Sequence, residues 1–201
     1  MYDQEEKIID RLISYYQSAG KPTANDWYKQ ANLACLSLSN KYGLEIETIA
    51  AVVAALSPRV PWRSNLAGAD TIIGAFLGGA NPESVFRAVA GFSANKRKAW
   101  AILAENNPAL LSGQKVTNFY FNILGHQNGV TIDTWMITAM LGLPINQSKD
   151  NLMNVTPKRY AFLAQCLNKA AALAGLPAVE LQAVVWMQIR RQSDIQHIKN
   201  E

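Results

Sequence analysis

Cysteine and histidine are nearly absent from this chain, with two of each in 201 residues. Cys35 and Cys166 stand far apart, neither in a C-x-x-C pair, and His126 and His197 are isolated. Structural zinc sites and iron–sulfur clusters need several such ligands at short spacing, so both are expected to be absent. Both cysteines fall in helix-like apolar settings and read as reduced core residues rather than a disulfide. Long apolar runs are also lacking: the longest, 49–56, is far too short to span a bilayer. The N-terminus is acidic and carries no apolar signal core. There is no low-complexity tract, no long run of like charge, no internal repeat and no convincing strand. These absences lead to the expectation of a soluble, intracellular, cytoplasmic protein without a membrane partner.

What is present is apolar and helical. About half the residues are hydrophobic, enough to build a real core. The length suits one domain or two small lobes. Ile8, Ile9, Leu12, Ile13 and Tyr16 recur at helical spacing over 4–19, and Gly20-Lys21-Pro22 ends that run. A second helix is expected from a cap at Asn25 or Asp26 to Gly43. The stretch 47–56 is apolar all round and predicts a buried helix, stopped by Ser57-Pro58. Further helices are expected at 63–77, from Asn81 or Pro82 to 90, and from Asn95 onward, with one turn at 108–111. The spacing then predicts helices over 115–124, 134–141, 157–174 and 178–192. Residues 146–154 read as a loop and 193–201 as a polar tail.

Charge is uneven. The net charge is +4, and 57–120 holds seven basic residues against three acidic ones, while the rest carries twelve of each. A polyanion such as nucleic acid fits that excess, and so does an ordinary solvated face. If 96–98 occupy the first turn of a helix, three cations there oppose the macrodipole, which suits contact with phosphate.

The stretch 110–143 concentrates the candidate chemistry. Ser112-Gly113 makes a turn, Lys115 opens an amphipathic helix, and Asp133 sits where an N-cap belongs. Val116, Phe119, Tyr120, Ile123 and Leu124 form its apolar face, with Lys115, Asn118 and Asn122 on another. Taken singly, a lysine here is most often a solvated residue and an aspartate there merely a cap. Their joint spacing and the glycine turn set them apart.

That pattern resembles the helix–hairpin–helix base-excision DNA glycosylases, in particular endonuclease III-like members. The resemblance extends to Ala51-Val-Val-Ala-Ala-Leu-Ser57-Pro-Arg59 with Asn65, similar to the family's apolar helix and DNA-probing loop, and to Gly91-Phe-Ser-Ala-Asn-Lys96. The Lys115–Asp133 spacing is similar to that of lyase-competent members. The resemblance implies an all-α, two-lobed fold with a cleft between lobes. One lobe would span about 46–124 and the other 1–45 plus 130–192. It implies a monomeric enzyme on double-stranded DNA. Asp133 would stabilise the developing sugar cation, and Lys115 would form a Schiff base. That amine must be neutral part of the time, and a helix N-terminus disfavours its cation.

Backbone N–H groups around Ser112, Gly113 and Gln114 would hold a phosphate. Arg59 would fill the gap left by a flipped base. Arg63, Lys96, Arg97 and Lys98 suit backbone phosphates, and Trp62, Trp135 and Asn118 suit a base pocket. The four C-terminal cluster cysteines of some relatives are missing, so no cofactor is expected beyond a possible monovalent cation at the hairpin. Leu111 stands where the family hairpin has its first glycine, and Trp135 replaces a polar residue. Two other functions fit the same residues: a same-scaffold enzyme acting on a modified base or nucleotide, and a non-catalytic DNA-binding module.

Overall fold

The computed structural model describes residues 2–20, 26–127, 129–145 and 155–199. Among them there are helices, turns and extended connections but no strand. The chain divides into two compact units: a central one, Lys29–His126, and a terminal one, Met1–Tyr28 with Gln127–Glu201.

The central unit is built on α3 (Ile46–Leu56), in which every side chain from Thr48 to Leu56 is buried. A helix with apolar groups on all sides gains from being enclosed on all sides. Here α4 (Trp62–Leu77), α6 (Ser93–Glu105) and α7 (Gln114–Ile123) pack around it. Each large aliphatic side chain it buries contributes about 1.5–3 kcal/mol. Between α4 and α6 lies α5 (Pro82–Ala88), whose N-cap Asn81 accepts from the Glu83 N–H. A 3-10 turn at Pro108–Leu110 leads into α7.

Residues 29–45, expected with the terminal segments, belong instead to this unit. They lie mostly in α2 (Trp27–Tyr42). Packing explains the difference. Ala31 and Cys35 are buried, the Asn32 amide donates to the Ile123 carbonyl at 3.0 Å, and the Tyr42 hydroxyl donates to Asp70 at 2.7 Å. Only Trp27 and Tyr28 of α2 fall in the terminal unit.

The terminal unit packs α1 (Tyr2–Ser18), α8 (Thr134–Leu141), α9 (Pro157–Ala174) and α10 (Ala178–Lys199). Ile8, Leu12, Met136, Met140, Leu163 and Leu181 fill its core. The expected polar tail from 193 is helical through Lys199, because nothing after Pro177 breaks the helix: no glycine or proline follows. The expected loop at 146–154 lies outside the described residues. Among the described residues no single helix is long and apolar enough to cross a membrane.

Candidate functional site

In the terminal unit the site begins with a clamp. Val130, Thr131 and Ile132 are buried in a non-helical connection, so their backbone groups need partners. Tyr160 of α9 supplies them: its hydroxyl donates to the Val130 carbonyl at 2.7 Å and accepts from the Ile132 N–H at 3.1 Å. The next residue is Asp133, the N-cap of α8, as its place in the sequence predicts.

Both carboxylate oxygens of Asp133 are committed. Oδ1 accepts from the Met136 N–H at 2.9 Å, and Oδ2 accepts from the Trp186 indole N–H at 2.9 Å. Within the terminal unit no described cationic side chain pairs with it. The half-buried anion is held by two neutral N–H donors and the N-terminal end of a helix dipole.

Aromatic groups surround this carboxylate. Trp27 tilts against Trp186 with ring centroids 5.7 Å apart. Tyr28 donates to the Gln182 carboxamide oxygen at 2.7 Å. Burial pushes the Tyr28 phenol well above its ordinary range; a hydrogen bond from Thr131 opposes the shift, and the charge of Asp133 adds to it. The phenol is therefore a neutral donor beside the anion. Trp135 is half-buried, with the Arg190 guanidinium 5.0 Å from its ring centroid and 5.5 Å from that of Trp186.

In the central unit a glycine turn leads into α7. Gly113 is the N-cap of α7 with φ 88° and ψ 128°, a backbone state suited to glycine. No side chain caps that helix start, so its first N–H groups have no side-chain acceptor at the cap position. Ser112, Gly113 and Gln114 are exposed, Lys115 and Asn118 are half-buried on α7, and the Lys98 ammonium donates to the Ser112 hydroxyl. Asn122 is buried, and its amide donates to the His126 carbonyl at 3.0 Å, bracing the turn that ends α7. Arg59 is exposed and holds φ 61°, one of two non-glycine residues at positive φ among those described. Arg63 is exposed at the start of α4, and Trp62 beside it meets Phe119 edge-to-face at 6.4 Å.

Two of the basic candidates have other occupations. Lys96, expected on DNA, is 7% exposed, and its ammonium donates to the carbonyls of Phe86 at 2.6 Å and Val89 at 3.0 Å. The short α5 ends there with Val89 extended, and its last carbonyls need donors. Arg97 forms an exposed ion pair with Glu83 at 3.2 Å. The helix carrying both begins at Ser93, two residues before the expected start, so 96–98 do not occupy its first turn.

Lys115 thus belongs to the central unit and Asp133 to the terminal one, with Trp62 and Asn118 in the first and Trp135 in the second. Sequence reasoning missed Trp27, Tyr28, Gln182, Trp186 and Arg190 as parts of this site. One signal was available: Gln182, Trp186 and Arg190 recur every fourth residue and so share a face of α10. Among the described residues no three His, Cys, Asp or Glu side chains cluster to hold a metal. The two cysteines are free and buried.

An all-helical chain of this kind defines a class only coarsely. Its family is clear: the chain belongs to a family of unknown function, DUF7178, matched over residues 2–193. No curated protein and no solved structure matches it.

Proposed function

We propose that this chain is a DNA N-glycosylase with AP lyase chemistry, on a two-lobed helix–hairpin–helix glycosylase-like fold. The observation that carries the proposal is the state of Asp133. A half-buried carboxylate with both oxygens fixed by N–H donors, and with no described cation of its own unit paired to it, is an oriented anion that a positive charge developing beside it would meet. Breaking an N-glycosidic bond delivers that charge, because the sugar becomes cationic as the base departs with its electron pair. The anion is oriented in advance by fixed donors, so little reorganisation opposes the reaction.

The amine of Lys115 attacks the anomeric carbon as the bond to the base breaks, and the adduct opens to a Schiff base from which strand cleavage by elimination follows. The hairpin at Ser112–Gly113 and the Lys98 side chain attached to it support a phosphate contact. The central unit carries nine basic and five acidic residues, against ten of each in the terminal unit. The excess therefore lies with the hairpin, which favours duplex DNA as the partner.

The test is borohydride trapping on duplexes carrying damaged or modified bases or an abasic site. A covalent adduct is expected with the native chain and none with Lys115→Ala, while Asp133→Asn abolishes base release. Base release without an adduct would make the enzyme monofunctional, with Asp133 still essential. Neither release nor adduct on any duplex overturns the proposal. The tryptophan at 135, covered by an arginine, favours one second reading: a same-scaffold enzyme acting on a modified base or nucleotide. Activity on free nucleotides but not on duplexes would select it.

A further inference from the structure

We infer that Arg190 is an anion subsite of the terminal unit, built to take a phosphate ester next to Asp133. Its guanidinium lies over two indoles, Trp135 and Trp186, at 5.0 and 5.5 Å from the ring centroids. Those contacts use ring faces and hold the group in place, but they satisfy none of its five N–H donors. Within the terminal unit no carboxylate or carbonyl up to Ser193 accepts from it among the described residues. The side chain is half-buried, so these donors are only partly open to water. A planar fork held over two indole faces, with no described acceptor in its own unit, matches the bidentate geometry of phosphate.

Its position gives the subsite a purpose. Trp186 links the two charges: its indole N–H holds Asp133 while its face carries Arg190. Trp186 and Arg190 are one turn apart on α10, a rise of about 6 Å. A sugar over the carboxylate thus brings its own phosphate within reach of the fork. The opposite charges do not cancel, since Arg190 and Asp133 form no ion pair, and each remains for a different part of one substrate. Gln182, one turn earlier on the same face, is 4% exposed and accepts from Tyr28, which fixes the back of this stripe. The placement beside a sugar rests on the glycosylase reading; the anion subsite does not require turnover.

The experiment is a binding titration of the full chain, followed by the indole N–H resonances of its five tryptophans. The probes are inorganic phosphate, a deoxynucleoside, its 5′-monophosphate, and a duplex with a stable abasic-site analogue. The native chain is expected to bind the monophosphate or the abasic duplex with a shift of the Trp135 and Trp186 signals. Arg190→Gln should weaken that binding about thirtyfold or more, as loss of one partner of a desolvated charge pair does. Arg190→Lys, which keeps charge without the fork, should fall between. Loss confined to the monophosphate identifies a free nucleotide as the source of the phosphate; loss confined to the duplex identifies the DNA backbone.

Equal affinity in native and Arg190→Gln chains overturns the inference, as does failure of the native chain to bind any phosphate probe. A variant that loses nucleoside and nucleotide binding equally also overturns it, because Arg190 would then act only by propping the indoles. A retained Trp186 resonance and an unchanged melting curve show that the variants are folded. Absence of base release by the native chain would sink the glycosylase reading alone.

Discussion

Asp133 and Lys96 are both charged, both anchored to backbone, and opposite in meaning. The hydrogen bonds of Lys96 go to two carbonyls that would otherwise be orphaned, so its charge is spent on closing α5. Lys96→Met should therefore cost about 1–3 kcal/mol of stability. On the proposed function it should leave the salt dependence of DNA binding unchanged. Arg63→Ala, by contrast, should lower the salt slope by about one, the mark of a lost phosphate contact. Thermal melts and binding at several salt concentrations check both; a reduced slope in Lys96→Met would return that lysine to the DNA.

Trp186 is the residue through which Asp133 is held from α10. Trp186→Phe keeps a ring and removes the donor, and a hydrogen bond to a charged group is worth about 1.5–3 kcal/mol. On the proposed glycosylase reading the expected result is a fall in kcat with KM nearly constant, since only the charge developing in the transition state would lose its oriented partner. Single-turnover kinetics measure it, and an unchanged rate would remove Trp186 from the site.

At the scale of elements, the hairpin depends on Gly113 and the acidic site on a stripe of α10. A Cβ at Gly113 meets no atom within 4 Å, so the obstacle to substitution is the backbone state alone. Gly113→Ala should cost about 1–3 kcal/mol of strain, or shift the hairpin out of shape. Weaker DNA binding with a nearly native melt would show the second outcome, and wild-type values in both would show that the hairpin is not used.

This contrast also explains what the sequence revealed. The apolar run of α3, the Asp133 cap and the glycine turn are local patterns, and local patterns are legible. The assignment of 29–45 to the central unit was not, because it turns on Asn32 reaching Ile123 and Tyr42 reaching Asp70, contacts between distant segments. Trp186 was not legible as part of the site for the same reason: its indole N–H finds a partner 53 residues away. Lys96 misled because a basic run looks solvated until a helix end with unmet carbonyls is placed beside it.

At the scale of the whole chain, each unit carries a weak acid held neutral by burial. In the central unit burial pushes the Cys35 thiol from its ordinary 9.0 up to about 12. In the terminal unit burial, aided by the charge of Asp133, pushes the Tyr28 phenol upward as well. The sign of the effect follows from the protons each state holds. Below 9 the thiol is protonated folded or unfolded, and its contribution to stability is fully present. Between 9 and about 12 the unfolded thiol ionises while the folded one does not, so stability is lost as pH rises. The loss is at most about 1.4 kcal/mol per pH unit for each such group.

Tyr28 acts in the same direction from its ordinary 10.0 upward. From neutral pH upward, melting temperature should accordingly be level to about pH 9 and fall beyond it. Cys35→Ala should flatten the first part of that fall and Tyr28→Phe the later part. If the units melt in separate transitions, each variant should flatten only the transition of its own unit. An alkaline limb unchanged in both variants would mean that other groups set it. A limb flattened by Tyr28→Phe alone would place the chain's alkaline weak point beside Asp133, where an ionised phenol would set a second negative charge next to the first.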